Sequence, residues 1–161
     1  MLSATYQLPL SQLSAPIRYQ ELATKLNLPL GGRAPLADVR AAVLELRTAK
    51  GMVLDAADHD TWSAGSFFLN PIVDRPPAQA TAWQLEQGGW KVSAAWLIEA
   101  SGCHRGFGLN ARATLSSKHT LAITNRGGAS AEDVLDLARH IQGRVRATFG
   151  IELEFEPQVI E

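Results

Sequence analysis

The sequence holds a single cysteine, Cys103, so no internal disulfide framework can staple it, and one thiol suits a reducing, cytoplasmic setting. Charge of one sign is also missing. Fifteen Lys and Arg stand against sixteen Asp and Glu, a formal net charge of −1, with no basic block. Binding to nucleic acid or to an anionic membrane through a broad field is therefore not expected. No long apolar run occurs; the longest, Ala94-Ala95-Trp96-Leu97-Ile98, falls far short of a bilayer span. The opening residues, Met1-Leu2-Ser3-Ala4-Thr5-Tyr6, lack the basic region and apolar core of a secretory leader. Metal-ligand spacing is absent too. Cys103 and His104 are adjacent, and His59, His119 and His140 are scattered, so no metal site is expected. A length of 161 residues bounds the chain to one domain or two very small ones, too little for a large cofactor enzyme carrying all its own parts.

What remains is ordinary globular composition, with 46% hydrophobic and 19% charged residues, which argues against disorder. Residues 3–10 alternate, with Ala4, Tyr6 and Leu8 on one face, and read as a strand ended by Pro9. Ser14 before Pro16 is a helix start, with Ile17, Leu22 and Leu26 as its apolar stripe. A second helix follows Pro35, carrying Leu36, Val39, Val43 and Leu46, with Gly51 just past its end. Residues 52–77 read as an irregular loop with a short strand. Gly88-Gly89 sits between two short strands as a hairpin turn. Ser93 opens a short helix with Trp96 and Leu97, and residues 121–124 form a buried strand. The last long helix has the clearest signals: Ser130 as cap, Asp133 three residues on, a face of Val134, Ala138, Ile141, Val145 and Phe149, and Gly150 as terminator. A terminal strand is expected over residues 152–159. The class is α+β: a single domain in which a small mixed or antiparallel sheet packs with helices, closed by the long carboxy-terminal helix and that strand.

Ser63-Ala64-Gly65-Ser66-Phe67-Phe68-Leu69-Asn70-Pro71 is the most distinctive segment. Gly65 permits a tight bend before Ser66, two aromatics can anchor it, and Asn70 before Pro71 is held out of the helical region. It reads as a rigid loop presenting one hydroxyl and one amide. It is not a nucleophile elbow, which needs glycines two residues either side of the serine. On its own, such a turn is more often structural.

This segment resembles the G-S-F-F-x-N-P signature of the UDP-N-acetylenolpyruvoylglucosamine reductase (MurB) family, flavoenzymes of peptidoglycan precursor synthesis. Further segments agree in order. Tyr19-Gln20-Glu21-Leu22 resembles Y-x-[DE]-L, and Arg47-Thr48-Ala49-Lys50 resembles R-x-x-K. Trp96-Leu97-Ile98-Glu99 resembles W-L-I-[DE], residues 119–127 the run H-x-L-x-x-x-N-x-G, and Leu153-Glu154-Phe155-Glu156 the closing L-x-x-E. The likeness covers the family's carboxy-terminal third. It implies a domain spanning residues 1–161 that binds substrate, with residues 1–10 as the last strand of a preceding flavin-binding domain.

The resemblance further implies an enzyme in which NADPH reduces FAD, and the enolpyruvyl group of a UDP-sugar is then reduced to give UDP-N-acetylmuramate. Ser66 falls on the family's proton-donating serine and Glu156 on its catalytic glutamate. Without the likeness, Glu156 would read as an exposed acid near a terminus. Lys50 and Lys91 fall on substrate-binding lysines, although Lys50 ends a helix, where a cation is also favoured by the helix dipole, and Lys91 lies beside the hairpin. Tyr19 falls on a substrate-binding tyrosine, with a core aromatic as the alternative. Asn70 would hydrogen-bond the substrate, and His119 would serve the nucleotide end or else be an ordinary core or surface histidine. Trp83 stands where a tyrosine contacts substrate, exchanging a hydroxyl for a stacking surface. Leu69 replaces a basic residue, residues 106–114 match the family's glycine-rich loop poorly, and Gln158 and Glu161 replace the usual closing residues.

The chain is thus expected to be the substrate-binding domain of such a reductase, its partners a UDP-sugar and the missing flavin-binding domains of the same polypeptide. FAD and NADPH belong to the complete cytoplasmic enzyme. The chain alone has no glycine-rich phosphate loop in a strand-and-helix setting, so it is expected to hold neither and to be inactive. The alternative is a stand-alone nucleotide-sugar binding module without catalysis.

Overall fold

The structure is a computed structural model and describes residues 3–159; Glu161, one of the departures noted above, lies outside the described residues. Two compact units divide the chain, Met1–Ala49 and Lys50–Glu161. Among the described residues are four α-helices and six short strands, every strand pair antiparallel, so the α+β class holds.

The first unit contains α1 (Gln20–Lys25) and α2 (Leu36–Ala49). The second helix lies where Pro35 and the apolar spacing place it, with Ala42 buried and Val39, Val43 and Leu46 half-buried. The first is shorter than expected. Ser14 does not cap it: its amide and hydroxyl bond to the backbone of Ala34, and Ile17 exchanges backbone hydrogen bonds with Gly31 and Gly32. A segment so paired cannot also wind into a helix, and the turn begins at Tyr19 with no side-chain cap. Residues 3–10 form no strand. Tyr6, Leu8 and Leu10 are exposed along an extended stretch that meets no neighbouring strand among the described residues, and an unpaired strand has nothing to stabilise it.

The second unit contains β1 (Ser63–Ser66), β2 (Ile72–Val73), β3 (Ala82–Gln84), β4 (Trp90–Val92), α3 (Ala94–Ala100), β5 (Ala113–Leu115), β6 (Ala122–Asn125) and α4 (Ala131–Phe149). The strands make two three-stranded sheets, ordered β1-β6-β5 and β2-β4-β3. The Gly88-Gly89 hairpin forms as read, and β2 adds a third strand to it. Leu137, Ala138, Ile141 and Val145 give α4 a fully buried face against α3, β5 and β6. Ser130 and Asp133 complete a reciprocal capping box, and Gly150 closes the helix at φ 69°.

The terminal strand is a correction. Residues 151–159 are extended but share only one bridge, Phe68 with Phe155, held by two backbone hydrogen bonds. Pro71 lacks the amide that the next rung would need on one side, and on the other the Phe67 amide is taken by the Leu121 carbonyl, so the ladder does not grow.

Candidate functional site

Ser66 ends β1, and a bulge decides how it is presented. Ser63 faces Thr124 and Ser66 faces Ala122, so β1 carries one residue more than β6 over the same span. Gly65 absorbs that residue at φ 89°, a conformation side chains with a Cβ rarely adopt. The Ser66 hydroxyl is half-buried and takes no partner among the described residues. Phe67 and Phe68 then turn inward, and with Phe155 they form three edge-to-face ring contacts, centroids 5.3 to 5.7 Å apart.

Two other parts of the chain clasp this segment. On one side the Leu69 amide donates to the Glu154 carbonyl at 2.9 Å, and the Glu156 amide donates to the Phe67 carbonyl at 3.0 Å. Glu156 is exposed and stands beside the residue that follows Ser66. Gln142 of α4 holds this closing segment in place by donating to the Leu153 carbonyl. On the other side the Val92 amide donates to the Pro71 carbonyl, and Asn70 Oδ1 accepts from the Ala94 amide at 2.8 Å. Asn70 therefore caps α3 through its oxygen, while its Nδ2 donors remain for another group.

Lys91 lies at the centre of the small sheet, directly opposite Trp83 on β3 and Ile72 on β2. Val92 next to it is buried, so Lys91 points outward between two exposed apolar side chains, with Trp83 52% exposed. A cation beside an open aromatic face can receive both an anion and a flat ring. A cavity of about 360 Å³ nearby is lined by Leu69, Asn70, Pro71, Ile72, Glu152 and Glu154. Its two carboxylates make it a poor seat for a phosphate.

Lys50 and His119 come close enough to interact. Burial, then the charges of Lys50 and Arg105, hold His119 below its usual range, so its ring is neutral at neutral pH. The His119 carbonyl accepts from Ala122, the residue facing Ser66. Tyr19, in the first unit, is 78% exposed and so is not a core aromatic. Among the described residues no three His, Cys, Asp or Glu side chains gather to hold a metal ion, and no helix is long and apolar enough to cross a membrane.

Sequence reasoning missed Asp60, in a 3₁₀ turn (His59–Thr61) just ahead of β1. It is 6% exposed and accepts from the Ser117 amide, the Ser117 hydroxyl and Arg126. Burial alone would raise its pKa; hydrogen bonds from Ser117 and Ser116 and the Arg126 charge outweigh that and leave it lowered.

The order of these parts matches a known domain: residues 56–160 fit the family described as UDP-N-acetylenolpyruvoylglucosamine reductase, C-terminal domain. The chain belongs to the UDP-N-acetylenolpyruvoylglucosamine reductase family. It is 52% identical over 156 residues to the reductase of that name from Mycolicibacterium gilvum, covering 91% of this chain and 45% of the relative. The reductase from Salinispora arenicola is 49% identical over 173 residues, covering 99% and 48%. That from Thermobifida fusca is 48% identical, covering 96% and 48%. The chain thus spans a little under half the length of these reductases.

Proposed function

We propose that this chain is the substrate-binding, proton-donating part of a cytoplasmic reductase that converts UDP-N-acetylglucosamine enolpyruvate to UDP-N-acetylmuramate. The observation that carries this reading is the clasp of residues 154–156 on residues 67–69, which brings Glu156 beside the Ser66 turn. Reduction of the enolpyruvyl double bond places negative charge on a carbon next to the substrate carboxylate, and that carbon must be protonated. Ser66 donates the proton from Oγ and recovers one from water. A positioned general acid contributes ~10²–10⁴ in rate. A serine hydroxyl is a weak acid in water, so its surroundings must support the transfer. Glu156 assists as a protonated acid or through a bridging water, since a bare carboxylate would repel the developing enolate.

Lys50 and Lys91 take the diphosphate and carboxylate, Trp83 offers its open face to the nucleotide base, and Asn70 donates from Nδ2. Neutral His119 supplies a hydrogen bond at the nucleotide end, and Tyr19 is a substrate-binding residue on the family resemblance alone. FAD and NADPH supply the reducing equivalents in the complete enzyme. The helix starts described here do not suit their phosphates. The first amide of α2 goes to the Gln12 carbonyl, that of α3 to Asn70, and α4 carries the Asp133 carboxylate in its capping box. The flavin-binding domains of the same polypeptide are the partner that brings these cofactors. The exposed alternation of Tyr6, Leu8 and Leu10 fits a strand that completes a sheet in that neighbouring domain.

In the complete reductase, Lys91→Ala removes a charge-assisted contact to the substrate and should raise KM by roughly 10- to 100-fold. Flavin reduction by NADPH should stay within about twofold, because this residue is reserved for the other substrate. An unchanged KM contradicts the reading.

A further inference from the structure

Asp60 is the only charged residue that is buried among the described residues. A carboxylate in that position costs several kcal/mol of hydration unless its partners are well placed, so its presence calls for a reason beyond packing. Three segments meet at it. Its carboxylate receives both the amide and the hydroxyl of Ser117, in the turn that leads through His119 to β6. Its backbone lies against Gly51: a Cβ built there would stand 2.9 Å from the Asp60 carbonyl oxygen, and Gly51 directly follows Lys50. The chain leaving Asp60 becomes β1, whose Trp62 carbonyl accepts from Asn125 and whose last residue is Ser66. Arg126 closes the arrangement, pairing with Asp60 at 2.8 Å and donating from Nε to Thr114 on β5. Lys50, His119 and Ser66 thus sit on three stretches of chain that meet at Asp60: the Ser117 turn binds its carboxylate, while Gly51 and β1 join it through its backbone.

We infer that Asp60 is a positioning residue for the reduction proposed above, holding Lys50, His119 and Ser66 in register without touching the substrate. This rests on the reading of Ser66 as proton donor. The consequence is a loss of rate at the protonation step that exceeds any loss of folded protein, because misplacement of a reacting group by about 1 Å can cost roughly 10²-fold.

The test uses the complete reductase with Asp60→Asn, Ser66→Ala and the double variant, each assayed well below its melting temperature. Asp60→Asn should lower kcat for enolpyruvyl reduction roughly 10- to 100-fold, raise KM through Lys50, and leave flavin reduction by NADPH within about twofold. In kcat the double variant should be little slower than Ser66→Ala alone, since the Asp60 effect on proton transfer runs through Ser66, while the rise in KM through Lys50 persists. Asp60→Glu should recover part of the rate. If Asp60→Asn fails to fold, Ser117→Ala removes one of its donors and should give the same pattern at roughly threefold to tenfold. Normal kcat and KM in Asp60→Asn or Ser117→Ala, or additivity with Ser66→Ala, overturns the inference while the reading of Ser66 stands. Full activity in Ser66→Ala overturns that reading, and the positioning role with it.

Discussion

The amide of Glu156 donates to the carbonyl of Phe67 at 3.0 Å, so the closing acid of the chain stands beside the residue that follows Ser66. Neither position lies in a long ladder that would force the pairing. The Phe68–Phe155 bridge is isolated, and beneath it three phenylalanine rings interlock. Side-chain packing therefore does here what strand hydrogen bonding does elsewhere, and the candidate acid–hydroxyl pair depends on an aromatic cluster.

That dependence can be measured. Phe68 is 2% exposed, so Phe68→Ala should lower stability by roughly 3–5 kcal/mol through lost burial and the cavity left behind. Phe155 is only half-buried, and Phe155→Ala should cost less. Urea unfolding gives both values. In Phe155→Ala, the Glu156 amide should also exchange with solvent much faster, because its own segment has lost its anchor.

Asn70 caps α3 in the structure and donates to the substrate in the proposal, and substitution separates the two. Asn70→Ala removes the acceptor for the Ala94 amide and should cost about 1 kcal/mol, the usual worth of a cap. Asn70→Asp keeps the acceptor and adds a charge that the start of α3 favours, so stability should be held. Substrate affinity in the complete reductase should fall in both, since both lack the Nδ2 donors. Thermal melting and KM, measured on the same preparations, check the split.

The helices and turns that rest on neighbours in sequence were legible. Pro35 and the apolar spacing placed α2, Ser130 with Asp133 placed the start of α4, and Gly88-Gly89 placed the hairpin. What could not be read depends on partners far along the chain. Ser14 has every local mark of a cap, yet Ala34 claims it. Residues 152–159 carry strand-forming residues but have only residues 67–69 to pair with. Asp60 falls in the stretch that reads as an irregular loop; its burial rests on Ser117 and Arg126, far along the chain. The local sign that could have raised suspicion is Asp58, whose side chain caps the short turn and so marks it as ordered.

Asp60 also sets a pH dependence. Its folded pKa lies below the usual carboxylate value of about 3.9, so the native state binds this proton less readily than the unfolded chain does. The contribution is therefore complete above about pH 4 and is lost as pH falls through the folded value. Urea midpoints measured from pH 6 down to 3 should decline, and Asp60→Asn should start lower at pH 6 and decline less. Parallel curves would show that other carboxylates carry the acid loss.

His119 reports on the Lys50 charge. By proton NMR its ring should titrate below the usual value of about 6.5. Lys50→Gln should move the midpoint upward only part of the way, because burial is the larger cause and Arg105 also contributes. No movement would mean that Lys50 does not face His119.

The central claim is that Ser66 gives the proton, and the two half-reactions of the complete reductase test it most directly. With Ser66→Ala, reduction of the flavin by NADPH should proceed at its normal rate, while reoxidation of reduced flavin by the enolpyruvyl substrate should slow by ~10²–10⁴. Equal slowing of both half-reactions, or normal reoxidation, would contradict it.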